Sequence, residues 1–224
     1  MARPALAAGP QAVTFAARDG APISGVLHLP ERHPAPGVVL LPMLGRTHRD
    51  WDQAAARLAA AGIAALAIDF RHLGAALPDG SAASEGGYRA FVLDADAARA
   101  YLAARPEIDP AKIGMAGGSL GANVAVLSAG ADASVRSLVL LSVSGDYRGL
   151  KMEQALTSFG SRPALLVASS EDVYALRSAR QAVRMGSGAR ELRVMAGAGH
   201  GLVMLAREPD LASVLVDWFL RTLL

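Results

Sequence analysis

Cysteine is absent from the 224-residue chain. That removes disulfides, thiolate metal sites and a cysteine nucleophile, and leaves the compartment open. Long apolar runs are missing too. Although 52% of the residues are hydrophobic, no stretch approaches the roughly 18–20 residues of a membrane helix. Charge is sparse at 19%, with a net value of +2. With so little charge beside so much apolar content, disorder is expected at residues 1–10 only. The cations are nearly all arginines, scattered beside acids along helices. They form no basic stripe, so nucleic-acid binding is not expected. The start, MARPALAAGPQ, lacks an apolar core long enough for a secretory signal. It reads as a cytoplasmic start, or as that of an exported chain without its signal.

Residues 1–224 suit a single domain, and neither a repeat nor a linker divides them. Residues 13–15 and 23–29 read as an antiparallel hairpin of edge strands across Asp19-Gly20. His28 and His33 there read as structural or solvated. Residues 38–41 form a continuous apolar run, as in a strand buried on both faces. A helix over 50–61, stopped by Gly62, leads to a strand over 63–70. The Gly-, Ala- and Ser-rich stretch 71–87 reads as a long loop bordering a site. The spacing over 88–104 predicts a helix closed by Pro106 and Pro110. Beyond it, strands are expected at 113–116, 135–143, 164–168 and 191–195, and helices at 122–129, 150–158, 174–185 and 210–223. Strands alternating with helices predict an α/β fold, a doubly wound, mostly parallel sheet.

The stretch around which these elements are organised is Gly117-Gly118-Ser119-Leu120-Gly121, which fits G-x-S-x-G. Alone the pattern is weak. Between a short strand and an apolar helix it describes a sharp corner that lifts a hydroxyl above the sheet. A serine hydroxyl needs a base beside it, and the base needs a carboxylate to fix its tautomer. Loops at the carboxyl ends of parallel strands meet on one edge. The strand at 164–168 runs into Ser169-Ser170-Glu171-Asp172, and that at 191–195 into Ala196-Gly197-Ala198-Gly199-His200-Gly201. His200 is the only histidine after Ser119. The order Ser119, Asp172, His200 is the one this kind of sheet requires. Glu171 is the close rival for the acid, with Asp146 and Asp69 further off. The negative oxygen of a tetrahedral intermediate needs donors fixed in advance. The amide of Leu120 is one candidate. In the loop after 38–41, Leu44 is the first choice for the other and Met43 the second.

These residues together resemble the α/β-hydrolase superfamily, and most closely its small bacterial esterases and dienelactone-hydrolase-like members. The resemblance runs from the strand at 38–41 to the closing helix. It implies Ser119 as nucleophile, Ser169-Ser170-Glu171-Asp172 as the acid turn and Gly199-His200-Gly201 as the base loop. Two departures stand out. Pro42-Met43 replaces the usual His-Gly ahead of the oxyanion residue, and Ser119 stands where dienelactone hydrolases carry cysteine. The second speaks for ordinary ester hydrolysis over lactone opening. Many members insert a cap before the strand at 164–168, but residues 144–163 leave room for one short helix only. An uncapped cleft walled by Met43, Leu44, Leu120, Tyr147 and Val173 would suit small to medium acyl esters. No cofactor or metal is implied, since no His, Asp and Glu cluster has ligand spacing. The expected partner is a small-molecule ester; the oligomeric state stays open. A peptidase or amidase, a thioesterase and a polyester-active esterase remain alternatives on the same triad. A triad-bearing fold used as a binding or scaffolding module is the alternative of another class.

Overall fold

The computed structural model describes residues 9–71 and 85–224. Residues 1–8 of the expected disordered start and 72–84 of the loop expected over 71–87 lie outside those residues, and the helix after that loop begins at Glu85, earlier than expected.

Two strands open the chain, β1 (Gln11–Ala16) and β2 (Pro22–His28), followed by β3 (Ala35–Leu41). A 3₁₀ turn (His48–Trp51) leads into α1 (Asp52–Ala60), β4 (Ala64–Ile68) and α2 (Glu85–Ala103). The central unit is β5 (Ile108–Gly118), α3 (Leu120–Ala131) and β6 (Val135–Leu141). A small ribbon, β7 (Asp146–Tyr147) with β8 (Leu150–Lys151), precedes α4 (Met152–Phe159). The chain closes with β9 (Ala164–Ser169), α5 (Val173–Ala182), β10 (Arg190–Met195), α6 (Val203–Arg207) and α7 (Leu211–Leu223).

Eight strands form one sheet in the order β1-β2-β4-β3-β5-β6-β9-β10. The pairs β1·β2 and β2·β4 are antiparallel, and β4 through β10 run parallel. This is the doubly wound, mostly parallel arrangement expected, and among the described residues no large cap domain interrupts it. Apolar runs explain the interior: β3, β4 and β9 are buried at every position. A strand covered by helices on both faces cannot alternate polar with apolar residues. One core layer gathers α2, α3 and α4 side chains, the other those of α1 and α7. Among the large buried side chains, Trp51 and Trp218 each satisfy their indole N–H, on the Leu41 carbonyl (3.0 Å) and the Ser137 hydroxyl (2.9 Å). Among the described residues, no helix is long and apolar enough to cross a membrane.

Several sequence-based boundaries shift. β1 and β2 form the expected hairpin, but only β1 is an edge, because β2 also pairs with β4. Pro110 does not close a helix; it lies inside β5, which starts early because Ile108 pairs with Ala35 ahead of a register irregularity. β6 stops at Leu141, because Ser142 takes a positive φ of 53° and turns the chain. The β7–β8 ribbon and the five-residue α6 were not expected at all.

Candidate active site

β5 runs into α3 with one residue between them, Ser119. That residue has φ 51° and ψ −116°, a left-handed region that costs a non-glycine residue on the order of 1–3 kcal/mol. The strain is held by bonds on both sides. The Ser119 amide donates to the Leu141 carbonyl at 2.8 Å, and its carbonyl accepts from Ala122 at 3.0 Å. A methyl group on Gly117 would overlap the Gly121 carbonyl, and one on Gly121 would lie 2.5 Å from the Pro42 carbonyl oxygen. Both glycines are therefore demanded by close backbone approach. Gly118 has a different reason: a Cβ there would meet the Leu202 side chain at 2.7 Å. The loop after β10 thus seats directly on the strand-to-helix corner.

That loop brings His200 over Ser119. The imidazole Nε2 lies 2.7 Å from Ser119 Oγ, and Nδ1 lies 2.5 Å from Asp172 Oδ2. With Nδ1–H donating to the carboxylate, Nε2 is left as an acceptor for the hydroxyl proton. Asp172 follows β9 and is the N-cap of α5; its other oxygen, Oδ1, accepts the Ala175 amide at 3.1 Å. Ser119 is buried, while the His200 side chain above it is 45% exposed, so the imidazole is reached from solvent.

The acid rivals are placed elsewhere. Glu171 is exposed, and its backbone amide donates to Ser169 Oγ at 3.2 Å. Asp146 Oδ1 accepts the Gly149 amide in the ribbon turn, and Asp69 is engaged with His48.

Leu120 is the first residue of α3, so its amide has no partner one turn back. Its side chain is fully buried and takes no part in a cleft wall, contrary to expectation. Leu44 is 47% exposed and Val173 65% exposed, both at the carboxyl ends of parallel strands. Met43 is half-buried, and its thioether accepts the Leu202 amide at 3.1 Å, tying the loop after β3 to the base loop. Tyr147 is half-buried, with its ring edge-on to Tyr88 at 5.9 Å between centroids, and burial pushes its phenol pKa up.

Sequence reasoning missed two supports. Ser142, fully buried, accepts the Gly201 amide at 2.9 Å and so fixes the residue next to His200. Asn123, one turn into α3, donates to the carbonyls of Ser144 (2.8 Å) and Leu150 (2.9 Å) and accepts the Ser144 amide. An amide side chain among the apolar residues of the first turns of α3 is the one signal that could have marked Asn123; nothing in the sequence marks Ser142. A groove of about 1050 Å³ between α3, α4 and the ribbon is lined by none of Ser119, Asp172 and His200. Among the described residues, no three metal-ligating side chains cluster.

Residues 23–214 match the model of the dienelactone hydrolase family. The chain belongs to that family. A hydrolase of ester bonds is what membership supports, and a triad with an oxyanion hole is typical of its members. Solved structures agree on the fold. The dienelactone hydrolase from Anabaena variabilis is 20% identical, with a TM-score of 0.78 over 96% of this chain and 99% of its own. An acetyl xylan esterase from Paenibacillus sp. R4 is 19% identical, with a TM-score of 0.76 over 95% and 83%. The esterase domain of a Rhodothermus marinus protein is 17% identical, with a TM-score of 0.77 over 96% and 100%. At such identities these dienelactone-hydrolase-like folds speak for architecture alone. No curated protein matches the chain in sequence.

Proposed function

We propose that this family member is a serine carboxylesterase acting on esters of small to medium acyl chain. The observation that supports this reading is the unbroken hydrogen-bonded line from Asp172 through His200 to Ser119, with links of 2.5 and 2.7 Å. In the first half-reaction Ser119 Oγ attacks the ester carbonyl while His200 Nε2 takes its proton. Asp172 stabilises the resulting imidazolium. The carbonyl oxygen gathers charge and is met by the Leu120 amide and that of Leu44 or Met43. Collapse expels the alcohol, which leaves with the proton from His200, and an acyl-enzyme remains. Water, deprotonated by the same imidazole, then frees the acid and restores Ser119.

The test is turnover of p-nitrophenyl acetate and butyrate by the protein and by Ser119→Ala. The variant is expected to fold and to lose nearly all turnover. Normal turnover in Ser119→Ala removes Ser119 from the mechanism. Matched esters and anilides of one acyl chain separate an esterase from an amidase: cleavage of the anilide at a comparable rate would replace the ester reading.

A further inference from the structure

In the loop of residues 42–47 that carries the candidate oxyanion donors, Pro42 is buried and Met43 packs on the core, but the rest has little apolar anchorage. Leu44, Gly45, Arg46 and Thr47 are all exposed. Gly45 takes a positive φ of 70°, and the Arg46 amide donates to the Met43 carbonyl at 3.2 Å. Within the segment itself, Arg46 forks onto Asp50 four residues on, at 2.7 Å to each carboxylate oxygen. What fastens the far end of the loop comes from another strand.

Asp69 follows β4, and its own amide donates to the Ser24 carbonyl at 2.9 Å, which fixes it to β2. Its carboxylate spans His48: Oδ1 accepts the His48 amide at 2.7 Å, and Oδ2 lies 3.0 Å from His48 Nδ1. Both side chains are about one-fifth exposed, at 21% and 23%. One carboxylate thus holds a backbone N–H and a ring N–H of a single residue, two charge-assisted bonds that define where that residue sits. At the near end, Trp51 donates to the Leu41 carbonyl. The segment between Leu41 and Trp51 is therefore closed from both sides, and the amides of Met43 and Leu44 lie inside it.

We propose that Asp69, acting through His48, is a positioning residue for the oxyanion loop. This rests on reading Leu44 or Met43 as an oxyanion donor. Asp69 touches no reacting atom. Its effect is on the placement of an amide that must lie about 2.7–3.1 Å from an oxygen which becomes charged only in the transition state. A loop that wanders loses stabilisation of that oxygen while ground-state binding is left nearly intact.

The experiment is steady-state kinetics of Asp69→Ala and Asp69→Asn on p-nitrophenyl butyrate and on its thiono analogue. In the analogue, C=S replaces C=O. Sulfur accepts amide hydrogen bonds poorly, so the analogue gains little from the donors to begin with. For Asp69→Ala, kcat on the oxygen ester is expected to fall roughly 10- to 100-fold, short of the roughly 10²–10³ for outright loss of a donor. KM should stay within about twofold. The thiono ester should slow much less, so that the ratio of the two rates contracts. Asp69→Asn keeps an acceptor for the His48 amide and should recover a good part of the ratio. If Asp69→Ala does not fold, His48→Phe, which keeps the backbone bond, is expected to contract the ratio in the same direction by a smaller factor. An equal slowing of both esters, a raised KM at unchanged kcat, or wild-type kinetics overturns the proposal. Those results leave Ser119 untouched, whereas an active Ser119→Ala would overturn the parent reading instead.

Discussion

Asp172 divides its two oxygens between different tasks, one on the His200 imidazole and one on the Ala175 amide at the start of α5. The cap matters for the chemistry, because it removes the freedom of the carboxylate to rotate away from the imidazole. It also separates Asp172 from Glu171, a distinction the sequence left at a preference. Both acids border the loop after β10, Glu171 beside Gly197, but only Asp172, which enters the helix as its N-cap, bonds the His200 imidazole. Asp172→Asn keeps the cap acceptor but favours the wrong imidazole tautomer. Its kcat on p-nitrophenyl butyrate is expected to drop about 10³- to 10⁴-fold with the melting temperature little changed. Glu171→Gln is expected to stay within about twofold of the parent. Reversed effects would move the acid to residue 171. At this scale Ser119 and His200 were legible because glycines flank both. Ser142 was not, because a lone serine after an apolar strand has no signature until the fold brings Gly201 to it.

Among the elements, β5 with α3 was legible from its motif, while β2 shows what local pattern cannot carry. The alternation in β2 reads as half-exposed, yet the strand is covered toward its end, and His28 is buried there with its Nε2 unpartnered. Burial lowers the imidazole pKa below its ordinary 6.5; the Asp52 carboxylate pulls the other way and is outweighed. The unfolded chain therefore takes up this proton before the folded one does. Stability from this group is complete above about pH 6.5 and is lost as pH falls from there toward the lowered folded value. His28→Phe removes the titration. The drop in melting temperature between pH 7.5 and pH 5 is expected to be smaller in the variant than in the parent. An identical drop would show that residue 28 is not titrating in this range. The misplaced ends, Pro110 within β5 and the early stop of β6, share one cause. Pairing partners and a turned backbone decide them, and neither is visible in a single stretch of chain.

For the molecule as a whole, the sheet order was readable as a class because strands and helices alternate, but the strand neighbours were not. They follow from crossovers such as β4 pairing with both β2 and β3. Between β6 and β9 stand only the β7–β8 ribbon and α4, and the His200 side chain is 45% exposed. Rates on p-nitrophenyl esters are accordingly expected to saturate smoothly as concentration crosses the solubility limit. A jump in rate at that limit would mean that a cover opens at an interface. The central claim, that three loops on one rim of the sheet make Ser119 a nucleophile, is tested most directly by covalent capture. The protein is treated with a fluorophosphonate, and its intact mass and peptide map are read. One adduct is expected, on the peptide containing Ser119, and none in Ser119→Ala or His200→Ala at the same exposure. An unlabelled parent protein, or an adduct on any other residue, would contradict the account.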